Sequence, residues 1–288
     1  MLPAAKITKE IAEARGIDMD KDCDSPGRHS AFSDARGLIR FVEELRSLSG
    51  GKPVGFKLCL GRPVELATIV GAMVEMEMYP DFITLDGGEG GTGAAPPEFS
   101  NHVGYPLHDA LNLVQNLLVG AGVRQHVKVI ASGKITSGFG MLKANALGAD
   151  ICNSARGMMF ALGCVQALKC NTNHCPTGIT TQDPRLVQGL NVDDKSVRVF
   201  NFQRQTINMF HDLVGAVGFD NPRELRPDHI MRRQAGGTDA VSHAEIFPPL
   251  LPGALLTPGL EHPSNIQRLW NQGQQVLKGR QLKSIPYS

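Results

Sequence analysis

An excess of charge of either sign is missing from this 288-residue chain: 29 basic and 28 acidic residues leave a formal net charge of +1. No run of five or six like charges occurs, so nucleic acid is not expected as a partner. Long apolar runs are missing as well. The longest stretches, such as 66–78 with its interruptions at Glu75 and Glu77, fall short of the ~20 residues that a membrane-spanning helix needs. The opening Met-Leu-Pro-Ala-Ala-Lys has no charged segment, apolar core or small-residue cleavage site of a secretory signal. A cytoplasmic protein is therefore expected, with a membrane anchor upstream of Met1 left open. Six cysteines are too sparse for a disulfide scaffold in a chain of this length.

The residues present are ordinary for a globular enzyme: 42% hydrophobic and 20% charged, in a length that permits one large domain or two ordinary ones. Four short runs rich in β-formers recur at 54–60, 82–86, 127–132 and 150–155. Each leads through a glycine-bearing turn into a segment of helical periodicity, at 64–78, 107–119, 139–147 and 158–168. In the second of these Leu107, Leu111, Val114 and Leu118 share a face. Strands separated by helices return the chain to the same end of the sheet, so the expected class is α/β with parallel strands, either a barrel or an open doubly wound sheet. In both architectures chemistry gathers at the C-terminal strand ends. Here those ends precede Gly61, Gly87-Gly88, Gly133 and Gly157.

Upstream, 32–48 reads as a helix capped by Ser33 and stopped by Ser49-Gly50-Gly51. Downstream, 193–217 reads as a long amphipathic helix. Pro222, Pro227 and the glycines at 236 and 237 punctuate the stretch after it, and an irregular, surface-wrapping tail is expected from about Gly236.

Three of the cysteines, Cys164, Cys170 and Cys175, lie within twelve residues of one another in a C-x5-C-x4-C-P arrangement. Three soft thiolates among turn residues suit an iron–sulfur cluster or zinc. A 3Fe-4S cluster takes one cysteine per iron, whereas structural zinc takes four ligands, with His174 the candidate fourth. The plain alternative is that Cys164 packs on its helix and the other two are loop thiols.

The segment Ala161-Leu-Gly-Cys through Cys-Asn-Thr-Asn-His-Cys-Pro-Thr-Gly-Ile-Thr-Thr-Gln-Asp-Pro resembles the 3Fe-4S loop of glutamate synthases, in cysteine spacing and in its Cys-Pro and Thr-Gln-Asp-Pro landmarks. Asp86-Gly-Gly-Glu-Gly-Gly-Thr-Gly-Ala-Ala-Pro96 is similar to that family's flavin-site loop. The resemblance runs from about Leu2 to Arg185 and is to the short, FMN-binding relatives of the large glutamate synthase subunit. It implies FMN and a 3Fe-4S cluster as cofactors, with Cys164, Cys170 and Cys175 as ligands. It divides the chain into 1–185, the barrel part with the iron–sulfur loop, and 186–288, a helical extension and tail.

Within that resemblance individual residues acquire roles. Lys57 alternates with Gly55 and Cys59 on the face of its strand opposite Phe56, Leu58 and Leu60. A lysine facing inward needs a negative partner, such as the carbonyl edge of a reduced flavin. Snorkelling from the strand end or pairing with Asp86 would satisfy it equally. The family's corresponding lysine contacts flavin, so Lys57 is the expected catalytic residue. Asp86, Gly87, Gly88, Gly90, Gly91, Thr92 and Gly93 form the expected flavin loop, where glycines leave the backbone open to a ligand. Its G-x-G-x-x-G spacing lacks the acidic residue of a dinucleotide fold. Glu89 stands where large glutamate synthases commonly carry aspartate. Gly133, Lys134, Ala155 and Arg156 occupy the positions at which FMN barrels hold the phosphate. Ordinary turns and a surface charge are the bland reading of these four. Large family members usually lack an arginine at the position of Arg156, and other FMN barrels carry one.

The resemblance assigns the four strands to the last half of a parallel (β/α)8 TIM barrel, which takes ~250 residues for eight units. A half barrel leaves two strand edges and an open interior. The chain is thus expected to be a fragment, with the first four strands supplied in cis, or to receive that half in trans. The implied reaction is reductive amination of 2-oxoglutarate to glutamate. Ammonia would come from solution or from glutamine through another subunit, since position 2 carries no cysteine nucleophile. Electrons would come from ferredoxin or a nicotinamide-linked subunit. Two other readings stand beside it: a flavin oxidoreductase of the same family acting on another substrate, and a non-catalytic fragment or electron-transfer subunit.

Overall fold

A computed structural model describes residues 2–90, 98–233, 236–260 and 263–279. Short helix α1 (Lys9–Arg15) and helix α2 (Ala35–Leu48) precede the sheet. The alternation β1 (Gly55–Cys59), α3 (Pro63–Met76), β2 (Phe82–Asp86), α4 (Leu107–Gly120), β3 (Lys128–Ser132), α5 (Gly138–Ala146), β4 (Ile151–Asn153) and α6 (Arg156–Ala161) comes next. The strands form a four-stranded sheet in the order β1-β2-β3-β4, every neighbouring pair parallel. The expected α/β class is what the chain adopts.

Register brings Cys59, Asp86, Ser132 and Asn153 into one row across the C-terminal ends, with Lys57 opposite Thr84 one step below. On the other face Ile83, Leu85, Val129 and Ala131 are fully buried against Leu66, Val70, Leu111, Val114 and Leu118 of α3 and α4. The two faces differ sharply. Lys57, Cys59, Lys128, Ile151 and Asn153 are exposed, and Ile151 keeps 50% of its surface. Parallel sheets normally have both faces covered, so this sheet is finished on one side only.

Three boundaries differ from expectation. Helix α2 begins at Ala35 because Asp34, one residue beyond Ser33, accepts from the N–H of Gly37. Helix α6 stops at Ala161 instead of running to 168. The reason is a Schellman-type ending: Gly163 adopts φ +98, its N–H donates to Phe160 O and that of Cys164 to Met159 O, both at 2.9 Å. Cys164 is thereby the first residue of a loop and not a helical thiol.

The third difference concerns the C-terminal part. After α7 (Pro184–Val187), Asn191 caps the long helix α8 (Val192–Ala216), whose Phe210 and Val214 pack with Leu142 and Ala146 of α5. The hairpin β5 (Met231–Arg233) and β6 (Ala240–Ser242), short helix α9 (His243–Ile246) and α10 (Ser264–Leu277) complete the described chain. The stretch read as an irregular tail contributes Ile266, Trp270 and Leu277 of α10 to the main core. Glycine makes the α3–α10 contact close: a Cβ at Gly273 would stand 2.8 Å from the Ala67 carbonyl carbon.

Candidate functional site

The strand ends surround a cavity of about 330 Å³ lined by Lys57, Asp86, Gly90, Gly133, Lys134, Ala155 and Arg156, with Cys170 on its wall. Residues expected from four separate segments are thus brought together. The volume lies within the range of small-molecule sites, about 300–1,000 Å³. Gly91, Thr92 and Gly93 lie outside the described residues.

Each wall follows from local structure. Lys57 does not face a closed interior: its side chain is 60% exposed and its ammonium pairs with Asp86 at 2.8 Å. Asp86, two residues beyond Thr84 toward the end of β2, is therefore the partner realised here. Gly87 and Gly88 sit where a side chain cannot. A Cβ on Gly87 would collide with the Glu89 carboxylate and Leu107, and one on Gly88 would stand 2.7 Å from Gly104 O. Their N–H groups donate to Ser132 O and Tyr105 O, and that of Gly90 to Gly87 O. What these three glycines offer a ligand is clearance, not hydrogen-bond donors. The Glu89 carboxylate turns back to accept from the N–H of Leu107, 3.0 Å from both oxygens. It caps α4, where the helix dipole favours an anion.

Across the cavity, Gly133 has φ +151 and Lys134 φ +50; a Cβ at Gly133 would lie 3.1 Å from the N of Gly87. The Lys134 ammonium donates to Asn101 Oδ1 at 2.8 Å. Arg156 opens α6 and has no hydrogen-bond or carboxylate partner among the described residues. The wall therefore carries two cations with no acid bound to either. Ser132, Asn153, Met159 and Thr180 also line it, and the sequence pattern did not single them out. Their signal was register: Ser132 and Asn153 end their strands in line with Asp86.

The cysteine loop leads away from this wall. Cys164, Cys170 and Cys175 are all free. Non-glycine residues Gln166, Leu168 and Asn173 adopt positive φ between 54 and 66, a conformation costing roughly 1–2 kcal/mol per residue. Lys6 pins the loop by donating to Cys170 O at 2.8 Å and Thr180 O at 3.0 Å. Cys175 is buried, which by itself pushes its thiol up, yet hydrogen bonds involving Thr177 and Thr180 bring it down to about 6. The Thr177 hydroxyl lies 3.4 Å from its sulfur, whereas the Thr180 hydroxyl is buried with no hydrogen-bond partner within ordinary range. His174 is exposed. Among the described residues no three His, Cys, Asp or Glu side chains converge closely enough to hold a metal ion, whether as a cluster or as a zinc site with His174. The thiol donors are present in number and type, but in this conformation they are spread along the loop.

Residues 1–220 match the conserved region in glutamate synthase. The chain belongs to the glutamate synthase family. The glutamate synthase large subunit-like protein YerD of Bacillus subtilis is 42% identical over 234 residues, covering 81% of this chain and 44% of its own. An archaeal-type glutamate synthase (NADPH) of Thermotoga neapolitana is 34% identical over 238 residues, with 82% and 46% covered. An archaeal glutamate synthase (NADPH) of Methanocaldococcus jannaschii is 34% identical over 236 residues, with the same coverage. The chain thus spans less than half the length of these relatives. Among solved structures, a flavocytochrome b2 variant aligns with TM-score 0.40 and 12% identity over 65% of this chain and 37% of its own, a likeness too loose to carry an argument. No helix among the described residues is long and apolar enough to cross a membrane.

Proposed function

We propose that this glutamate synthase-family chain supplies the flavin-holding strand ends of an oxidoreductase that reductively aminates 2-oxoglutarate to glutamate, with a 3Fe-4S cluster relaying electrons. The observation that carries the reading is the single cavity joining Lys57, Gly90, Gly133, Lys134 and Arg156 with Cys170 of the cysteine loop. Its chemistry fits FMN. Lys134 and Arg156 give a phosphate two cations that no carboxylate pairs with among the described residues; Asp86 and Glu89 also line the cavity, but Asp86 is paired with Lys57 and Glu89 accepts from Leu107. Gly133 keeps that wall free of side chains, and Lys57 reaches the cavity from the adjoining strand. FMN bound there would supply the hydride that converts 2-iminoglutarate to glutamate. Lys57, steadied by Asp86, would hold the flavin edge on which negative charge accumulates.

For the cluster, the support is the donor set: three free thiols on one loop, with Cys175 held as a thiolate near neutral pH, the form that binds metal. Gathering them would require the loop to close. The bare sheet face supports a further element of the reading, a complementary half barrel in cis or in trans. Ammonia or glutamine nitrogen and a ferredoxin or nicotinamide-linked donor complete the proposed partners. The test is to produce the chain together with the complementary half, reconstitute it with FMN, iron and sulfide, and measure absorbance, iron content and glutamate formation. Flavin bands, about three irons per chain and turnover with 2-oxoglutarate are expected; a colourless, iron-free preparation would sink the reading.

A further inference from the structure

One wall of the strand-end cavity comes from the cysteine loop, and a residue far away in sequence holds it there. Cys170 and Thr180, on the two arms of that loop, both line the cavity. Their carbonyl oxygens accept from a single ammonium: Lys6 Nζ donates to Cys170 O at 2.8 Å and to Thr180 O at 3.0 Å. An ammonium offers three donors, so one side chain closes both arms at once. Asn173, between them, adds a second tie. Its Nδ2 donates to Ala5 O at 3.3 Å, its Oδ1 accepts from the N–H of Gln182 at 2.7 Å, and its carbonyl accepts from the Thr181 hydroxyl at 2.5 Å.

The segment that carries Lys6 is itself anchored. Ala4–Lys6 form a single 3-10 turn. On its near side Leu2 exchanges both backbone hydrogen bonds with Cys23, at 2.7 and 2.9 Å, and the N–H of Ala4 donates to Asp22 Oδ1 at 2.8 Å. On its far side Ile7 is buried. The loop needs such an anchor, because Gln166, Leu168 and Asn173 hold left-handed backbone, which persists only where the surroundings over-determine it. The wall held in this way faces a ligand with more than bulk. Thr180 brings to the cavity a buried hydroxyl that has no hydrogen-bond partner, and such a group calls for one. Where the Lys6 ammonium sits therefore decides where Thr180 and Cys170 stand against whatever fills the cavity.

We infer that Lys6 is a positioning residue of the strand-end cavity, clasping the cysteine loop through the Cys170 and Thr180 carbonyls so that this wall meets the ligand in one place. The test compares the parent with Lys6→Met and Lys6→Arg. Backbone hydrogen exchange of the full chain is read at peptides spanning 170–182, where the N–H groups of Gly178 and Gln182 are bonded within the loop. Peptides from α3 and α4 gauge whether the core is intact. Lys6→Met should exchange about tenfold faster at 170–182 and unchanged in α3 and α4. Combined with the complementary barrel half, it should bind FMN about tenfold more weakly in a fluorescence titration. Lys6→Arg keeps a cation with several donors and should recover most of both losses. The titration rests on the flavin reading of this cavity: a parent that binds no FMN would sink that reading, and the exchange comparison would then decide the clasp by itself. Exchange at 170–182 equal in Lys6→Met and the parent, or faster exchange at unchanged FMN affinity, would overturn the role assigned to Lys6.

Discussion

The cysteines of this chain should titrate in opposite directions, and the difference can be worked from their surroundings. Cys175 stands at about 6 against an ordinary 9.0, so at pH 7 about nine-tenths of it is thiolate, compared with about one-hundredth of an unperturbed thiol. Cys152, by contrast, is pushed up to about 11 by burial alone and stays protonated. The cause at Cys175 is removable. Thr177→Val deletes the hydroxyl 3.4 Å from the sulfur and should raise the midpoint by about one unit, roughly 1.4 kcal/mol of differential stabilisation of the thiolate. Because the folded-state value is depressed, the thiolate stabilises the fold fully above pH 9 and loses that contribution as pH falls through 6. Denaturant stability should therefore climb between those limits and climb less in Thr177→Val. The assay is site-resolved alkylation of the folded chain with isotopically paired iodoacetamide across pH 5 to 10, read by mass spectrometry of the peptides after digestion. The reasoning fails if Cys175 shows a midpoint at or above that of an ordinary thiol, or if Thr177→Val leaves it unmoved.

Three further outcomes are expected from the geometry. Trp270, 5% exposed at the α3–α10 contact, should cost about 3–5 kcal/mol on replacement by alanine, seen as a lower urea midpoint; retained stability would mean that α10 is not part of the core. Arg124→Met removes donors to Gln115, Val127 O, Gly148 O and Asp150 and should cost roughly 2–4 kcal/mol, since the ion pair is about one-fifth exposed. Lys57→Met should weaken FMN binding by about 1.5–3 kcal/mol, the worth of a charged hydrogen bond, without lowering thermal stability comparably; equal affinity in a flavin titration would remove Lys57 from the site.

Much of the fold could be read locally. The run Phe82–Asp86 is bounded by Pro80 and the Gly87-Gly88 pair and matches its strand at both ends, and Leu107 begins its helix where the apolar stripe begins. Reading failed where competing local signals meet. Residues 158–168 keep a helical pattern past Gly163, but a left-handed glycine with two backbone hydrogen bonds ends the helix there. Prolines before residue 264 suggested an irregular tail and hid the spacing of Ile266, Trp270 and Leu277, whose burial depends on α3, some two hundred residues earlier.

The candidate site was legible in its glycines and cations because each follows a strand. Ser132 and Asn153 were not, since a small polar residue gains meaning only when register aligns it with Asp86. Lys57 had two satisfactory partners by sequence alone, and the open sheet face leaves it paired with Asp86.

The most direct measurement of the central claim is an FMN fluorescence titration of the chain combined with the complementary barrel half, run beside Gly133→Val. A Cβ at residue 133 meets backbone atoms of Gly87 at 3.1 and 3.3 Å, and a branched side chain there would also enter the phosphate wall. Stoichiometric binding by the parent and at least about hundredfold weaker binding by the variant, ~2.7 kcal/mol, is the predicted result. No binding by the parent, or equal binding by both, would contradict a flavin site at these strand ends.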